Sequence, residues 1–129
     1  MGRETQALGR YGEDIAVEFL ASRGAQILER NWRARLSAHG VAGELDVVVV
    51  VGAHLVGVEV KTRSTAGFGH PLESITTNKL RRLHFLLAAW AREHGYAHWQ
   101  RRVDAVAVSI TGHRGQHPTV VVEHRPFLR

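Results

Sequence analysis

Apolar residues recur along this chain with two different periods, one helical and one extended. Spacings of three and four positions predict a first helix over residues 5–23 and a second over residues 73–94 or 76–94. Gly24 and Gly95 follow these segments, and glycine is common in the left-handed position that ends a helix. The pattern therefore predicts two long amphipathic helices.

Runs of β-branched residues predict five strands. The predicted strands cover residues 25–35, 43–51, 54–63, 101–111 and 119–124, and residues 36–42 are expected to form a loop. The first three strands should form an antiparallel meander, and a right-handed crossover through the second helix should place the fourth strand parallel to the third. We therefore expect an α/β fold, a three-layer sandwich in which helices flank a mixed sheet of about five strands, in the order αβββαββ.

The second and third predicted strands form a hairpin around Gly52 and Ala53, a pair that suits a type II′ turn. If the residues that flank this turn pair with each other, the numbers of paired residues sum to 105. Four charged residues then share one face, with opposed Cβ atoms about 5 Å apart. They are Asp46 opposite Glu59, and Glu44 opposite Lys61.

The apolar residues of the hairpin predict how it packs. Val48, Val50 and Leu55 share the charged face, so a helix is expected to cover their end of it and leave the acidic end open. The opposite face is expected to be a core surface made of Leu45, Val47, Val49, Val51, Val56, Val58 and Val60.

Asp46 and Glu59 would repel each other at this distance unless a cation lay between them. Mg²⁺ suits such a pair, because it takes hard oxygen ligands and commonly binds one or two carboxylates together with phosphate. The alternative is a set of cross-strand ion pairs, with Glu44 bound to Lys61, and exposed pairs of this kind stabilise a fold by only about 0–1 kcal/mol. The hairpin alone leaves both interpretations open.

Length and composition restrict the class of protein. The chain has 129 residues, no cysteine and a net charge of +5. We expect a single domain over residues 1–129 without disulfides, and the positive charge favours a polyanionic partner such as nucleic acid, unless it reflects a generally basic proteome. The charged N-terminus lacks an apolar signal segment and no apolar run reaches membrane-spanning length, so we expect a cytoplasmic protein without membrane contact.

Short motifs follow one another in a characteristic order. They are Gly9 with Gly12-Glu13, Gly43–Asp46, Val58–Arg63, Phe68-Gly69, Lys79 on the second helix, and Arg102–Asp104. Together they resemble the YraN family, the UPF0102 group of small bacterial proteins, which in turn resembles the PD-(D/E)xK nucleases, including many restriction enzymes and archaeal Holliday-junction resolvases. The resemblance implies a restriction-endonuclease-like fold and a metal-dependent endonuclease. The chain departs from the superfamily pattern at Leu45, which stands where a proline usually precedes the aspartate.

The resemblance also implies roles for individual residues. Asp46 and Glu59 match the metal-binding acids, with Mg²⁺ or Mn²⁺ as the ion and the carbonyl oxygen of Val60 as a further ligand. Lys61 matches the catalytic lysine. Glu13 matches a glutamate on the first helix that resolvase-like members add to the site, where it would hold a second ion or a water.

Basic residues near these positions are the predicted contacts to nucleic acid, most simply to DNA phosphates. They are Arg33, Arg35, Arg63, Lys79, Arg81, Arg82 and Arg102, together with Arg30 and Arg101. No recognition helix or zinc finger is evident, so we expect structure-specific or nonspecific cutting of branched or single-stranded DNA, and symmetrical cutting would favour a homodimer. A nucleic-acid-binding module of the same fold that does not cut is the alternative, and an interaction protein whose hairpin charges are only ion pairs is another.

Histidine and tryptophan residues predict no further site. None of the nine histidines has zinc-site spacing. Trp32, Trp90 and Trp99 are expected in the core rather than stacked on nucleobases.

Overall fold

The secondary structure follows the predicted order, with one additional helical turn. The computed structural model describes residues 2–64, 71–112 and 117–128. Its elements are α1 (Gly2–Ser22), β1 (Gln26–Ala34), α2 (Leu36–His39), β2 (Gly43–Val51), β3 (His54–Arg63), a 3₁₀ turn (Pro71–Ser74), α3 (Thr77–His94), β4 (Gln100–Thr111) and β5 (Thr119–Arg125).

Both long helices end at the predicted glycines, since Gly24 and Gly95 have φ angles of 91° and 82°. The helix α1 begins three residues before the predicted start. Thr76 caps α3, because its hydroxyl oxygen accepts the main-chain N–H of Lys79 at 3.1 Å. The loop predicted over residues 36–42 is wrong in part: it contains α2, which ends at a left-handed Gly40.

The five strands form one mixed sheet in the order β1-β2-β3-β4-β5. Only β3 and β4 run parallel among these neighbours, so the predicted α/β fold with a meander followed by a crossover is confirmed. The hairpin register is also confirmed from Val51 and His54 to Val47 and Val58. Gly52 has a φ of 58° and Ala53 has no positive φ, as a type II′ turn requires.

Each face of the sheet carries its own core, which gives the molecule three layers. On one face, Val48 and Leu55 lie buried beneath α3, as predicted. On the other face, Val47 and Val58 lie in a core that α1 covers. The helix α1 comes very close to β3 there.

Leu45 lies on the α3 side of the sheet, which corrects the prediction that it shares a face with Val47 and Val58. On the neighbouring strand β1, Asn31 lies between the pairs Arg30↔Val47 and Trp32↔Leu45 and has a left-handed φ of 55°. Asparagine tolerates this conformation better than most residues. Leu45 packs beside Gly57 on the α3 side.

Trp32 and Trp90 are buried in the α3-side core, as predicted. The indole N–H of Trp90 donates to Glu29 at 2.7 Å, which satisfies its one polar atom. The same expectation is wrong for Trp99, which is 38% exposed because it lies in the connection between α3 and β4, where its ring contacts Tyr96. Among the helices of the described residues, none is long and apolar enough to cross a membrane.

Candidate active site

The candidate site lies where the pairing of β2 with β3 ends. The last paired residues are Val47 and Val58, and beyond them the strands no longer form a regular ladder. A carboxylate oxygen of Asp46 accepts the main-chain N–H of Val60 at 2.8 Å instead. Asp46 and Glu59 therefore lie close together at the end of the hairpin, although their Cα atoms are not formally paired.

Glu59 is 7% exposed and receives two lysines on one carboxylate oxygen. The Nζ atom of Lys79 lies 3.1 Å from Oε1, and that of Lys61 lies 3.7 Å from the same atom. Lys61 shares the strand face of Glu59, as the alternation predicts, whereas Lys79 reaches the carboxylate from the first turn of α3. The Thr76 cap fixes that first turn, so it also fixes the position of Lys79.

The two acids differ in their electrostatic surroundings. Burial, together with the negative charge of Glu59, raises the pKa of Asp46 to about 7, although the hydrogen bond from the main-chain N–H of Val60 acts in the opposite direction. Within the described residues Asp46 has no salt-bridge partner, whereas Glu59 has two. Asp46 is thus a carboxylate that is costly to ionise until a cation approaches it.

The two lysines also differ from each other. Burial lowers the pKa of Lys61, and the neighbouring ammonium of Lys79 lowers it further. Burial acts against the charge of Lys79 as well, but its hydrogen bonds to Lys61 and Glu59, with the charge of Glu59, outweigh burial and raise its pKa. The site therefore favours a charged Lys79 beside a Lys61 that gives up its proton more readily.

A pocket of about 550 Å³ opens onto these groups between the sheet and α3. Its polar wall includes both acids, Lys79 and Arg82, and its apolar wall comes from α3. The residues that line it are Gly43, Glu44, Asp46, Glu59, Thr76, Asn78, Lys79, Arg82, Leu83 and Leu86. The pocket combines negative carboxylates at its floor with cations at its rim, which suits a metal ion together with an anionic substrate.

Glu44 does not pair with Lys61, which corrects the predicted register at the end of the hairpin. The strand β1 pairs Arg33 directly with Glu44, and their side chains form an ion pair at 3.3 Å. The prediction failed because the β2–β3 ladder stops at Val47.

Glu13 belongs to the electrostatic surroundings of the site. Burial raises its pKa, as does the charge of Glu44, while Arg30 and a hydrogen bond from Asn31 act in the opposite direction. The charge of Glu13 in turn raises the pKa of Asp46. Sequence analysis did not single out Asn31, although asparagine in a predicted strand is a signal of a left-handed residue.

The donor chemistry of this site fits a divalent cation of the magnesium type. Asp46 and Glu59 offer hard carboxylate oxygens, and Asp46 has no counter-cation of its own. Throughout residues 2–64, 71–112 and 117–128, no three acidic or histidine side chains group closely enough to hold a metal alone. Glu13 therefore does not complete a three-acid site, and the remaining ligands would be main-chain, water and phosphate oxygens.

The predicted nucleic-acid contacts lie in several places. Lys79 and Arg82 line the pocket, and Arg81 is exposed on α3 beside them. Arg63 is half-buried at the end of β3, and Arg33 is exposed in its pair with Glu44. Arg35 lines a different pocket.

Arg102 is not available as such a contact, which corrects its assignment. Its guanidinium donates to both oxygens of Asp104 at 3.1 and 3.2 Å and lies over the ring of Phe127. Its side chain is only 12% exposed, because Asp104 is fully buried and needs this partner. The motif residues Phe68 and Gly69 lie outside the described residues.

Comparison with known sequences identifies the family. The sequence model of a protein family, described as "Uncharacterised protein family UPF0102", matches residues 12–108. This chain belongs to the UPF0102 family. The match covers every residue of the candidate site and ends within β4.

UPF0102 proteins of several bacteria are similar to this chain over most of their length. The protein of Rhodococcus jostii strain RHA1 is 43% identical over 119 residues, which is 92% of each chain. That of Pseudarthrobacter chlorophenolicus is 48% identical over 117 residues, 91% of this chain and 81% of the relative. That of Clavibacter michiganensis subsp. michiganensis is 43% identical over 122 residues, 95% and 96% of the two chains.

Proposed function

We propose that this UPF0102 chain is a metal-dependent endonuclease that hydrolyses phosphodiester bonds of DNA. One observation carries the proposal: Asp46, a carboxylate without a counter-cation, lies beside Glu59 in a pocket whose rim holds Lys79 and Arg82. A divalent ion would supply positive charge beside Asp46, and a phosphate would supply negative charge beside Lys79 and Arg82 at the rim.

Asp46 and Glu59 would hold Mg²⁺ or Mn²⁺, with the main-chain oxygen of Val60 as a further donor. When bound, the ion would act as a Lewis acid that activates water and offsets the negative charge of the phosphate.

The two lysines would then have separate tasks. Lys79, whose pKa is raised, keeps its charge and binds a non-bridging oxygen of the phosphate. Lys61, whose pKa is lowered, shares the face of Glu59 and would orient the attacking water and stabilise the negative charge that develops on the phosphate. Glu13 acts through its charge, which opposes ionisation of Asp46 and so strengthens the preference for a cation there.

DNA binding in this proposal depends on the phosphates. Arg82, Arg81, Arg35, Arg33 and Arg63 supply positive charge, and such contacts position a strand without reading its sequence. No described element projects from the sheet and helices as a reader of base edges, so structure-specific or nonspecific cutting fits the surface best.

The decisive experiment is a cleavage assay on labelled duplex, single-stranded, flap, splayed-arm, four-way-junction and structured-RNA substrates. Each is incubated with Mg²⁺, Mn²⁺ or EDTA, beside the near-isosteric variants Asp46→Asn and Glu59→Gln. Glu18→Gln, which changes an exposed glutamate on α1 outside this pocket, is the matched control. We expect metal-dependent cutting that Asp46→Asn and Glu59→Gln abolish and Glu18→Gln retains. Cutting that survives both site variants would overturn the assignment.

A non-catalytic nucleic-acid-binding module is the second candidate, and one feature of the site favours it. Glu59 already has two lysines on one oxygen, so its charge is balanced without a metal. This function predicts that DNA binds equally well in Mg²⁺ and EDTA and is never cut. It also predicts that Glu59→Gln frees Lys79 and tightens DNA binding, whereas the endonuclease proposal predicts loss of cutting.

A further inference from the structure

A second pocket, of about 380 Å³, lies between α2 and the last turns of α3. Arg35 and Arg92 line it, and both residues are exposed. Neither guanidinium has a hydrogen-bonding or ion-pair partner within the part of the chain that the structure describes. The pocket therefore offers two positive groups that no part of the fold uses.

The one acidic residue of this pocket is hydrogen-bonded to a histidine. Glu93 is its one acidic residue, and the Nε2 atom of His39 lies 2.5 Å from its carboxylate. His39 is held in turn by the main chain of Arg35, whose N–H lies 2.9 Å from Nδ1. Because Glu93 is occupied in this way, the two arginines dominate the charge that the pocket presents to solvent.

One side of α3 connects this pocket to the candidate active site. Lys79, Arg82 and Leu86 line the active-site pocket, and Ala89 and Glu93 line the second one. These positions follow at intervals of three and four residues, so they lie on one face of the helix. At a rise of about 1.5 Å per residue, Arg92 lies about 15 Å along the helix axis from Arg82.

We propose that the pocket between Arg35 and Arg92 binds a second backbone phosphate of the same DNA strand that enters the active site. A strand of B-form DNA advances about 3.4 Å per phosphate, so this contact would fall about four nucleotides from the phosphate beside Lys79 and Arg82. Guanidinium groups suit the task, because their planar donors match phosphate oxygens. The inference rests on the proposed function and adds a requirement: the substrate extends about four nucleotides or more to one side of the cut.

The test uses DNA in which single phosphates are replaced in turn by an uncharged methylphosphonate. Binding is measured in EDTA, where no cutting occurs, for the wild type and for the variant Arg35→Ala/Arg92→Ala. The control variant Arg23→Ala/Arg125→Ala loses the same charge from two exposed arginines outside both pockets. In the wild type, two separate positions about four nucleotides apart should weaken binding when they are neutralised.

In Arg35→Ala/Arg92→Ala only the distal position should lose its effect, while the control variant keeps both. Between 50 and 200 mM salt, wild-type affinity should fall about three- to fourfold more than that of Arg35→Ala/Arg92→Ala, because the contact to one phosphate is absent from the variant. If Arg35→Ala/Arg92→Ala retains both sensitive positions, the second pocket is not a phosphate site although the protein binds DNA. If the wild type binds neither DNA nor RNA, this inference and the proposed function fail together.

Discussion

Asp104 and Asp46 both lie near basic groups, but within the described residues only Asp104 forms salt bridges with them. Asp104 is fully buried in β4, and both of its oxygens are bound. Arg102 donates to both oxygens, His124 contacts one at 2.9 Å, and the main-chain N–H of Phe127 donates to the other at 3.0 Å. Asp46 receives one main-chain N–H, forms no salt bridge within the described residues and is opposed by the negative charge of Glu59.

The difference separates a carboxylate that maintains the fold from one that is kept for a ligand. Asp104 fastens the end of the chain to β4, since Leu128 also donates its N–H to the carbonyl of Val103. Its charge is satisfied by the protein itself. The fold leaves Asp46 short of positive charge and raises its pKa, which is the arrangement expected where an added cation has a use.

The largest effect on stability should come from replacing Asp104, the carboxylate whose charge the protein itself satisfies. Asp104→Ala leaves the buried Arg102 without its partner, so we expect a loss of about 3–5 kcal/mol in the free energy of unfolding. Urea denaturation followed by circular dichroism measures it. Asp14→Ala is the control, because Asp14 is 64% exposed in its pair with Arg30, and it should cost less than about 1 kcal/mol. Equal losses in the two variants would contradict the distinction drawn between these carboxylates.

Asp46, the carboxylate without a salt bridge to the described residues, should destabilise the fold once it ionises. The pKa of Asp46 rises from 3.8 to about 7 on folding, so between these values the folded protein binds more protons than the unfolded chain. Stability should therefore fall as the pH increases from about 4 to about 7, by up to about 4 kcal/mol from this group, and then level off. Asp46→Asn should lack this contribution and be more stable than the wild type at pH 8.

The measurement is the difference in unfolding free energy between the wild type and Asp46→Asn at several pH values, because other titrating groups cancel in that difference. A divalent ion that binds the folded site should restore wild-type stability at pH 8 and leave the variant unchanged. A difference that stays constant from pH 4 to pH 8 would show that folding does not raise the pKa of Asp46.

Much of the candidate site around Asp46 and Glu59 was predictable from local sequence. Gly52 and the valine-rich strands specify the hairpin register, and strand alternation then places Glu59 and Lys61 on one face. The same reasoning failed beyond Val47, because the β2–β3 ladder ends there and the side chain of Asp46 accepts the main-chain N–H of Val60. Strand rules assume a continuous ladder, and this site lies where the ladder stops.

Contacts between distant segments were the part that sequence could not supply. The approach of Lys79 to Glu59 depends on the angle at which α3 crosses the sheet. The withdrawal of Arg102 into the Asp104 cluster depends on β5 and on Phe127, which local patterns do not connect to β4. Charge alone had grouped Arg102 with the exposed arginines, and only burial separates them.

The close contact between Gly12 of α1 and Thr62 of β3 should also contribute to stability, with a smaller effect than that of the two carboxylates. A Cβ atom at Gly12 would lie 1.9 Å from the hydroxyl oxygen of Thr62, the residue next to Lys61. Gly12→Ala should therefore reduce stability by about 1–3 kcal/mol. Gly9→Ala is a matched control with open space around it, and it should stabilise α1 by about 0.5–1 kcal/mol.

Thermal unfolding of these two glycine variants distinguishes crowding from a general change in helix propensity, since both replace glycine by alanine within α1. Combining Gly12→Ala with Thr62→Ala should recover only part of the loss, because the Cβ of Thr62 would itself lie 2.7 Å from the new methyl group. If Gly12→Ala is as stable as Gly9→Ala, α1 and β3 are not held at this distance.

The smallest effect should come from the exposed ion pair at the rim of the site. Arg33 and Glu44 lie 3.3 Å apart with side chains 78% and 41% exposed, so Arg33→Ala should change the unfolding free energy by only about 0–1 kcal/mol. Arg102→Ala, which removes an arginine from the buried carboxylate, should cost several times more and is measured in the same denaturation series. Arg33→Ala should instead reduce DNA affinity, and this reduction should disappear at high salt. A stability loss at Arg33 as large as that at Arg102 would mean that the rim is part of the structural framework, and the contrast between Asp46 and Asp104 would then describe burial alone and not function.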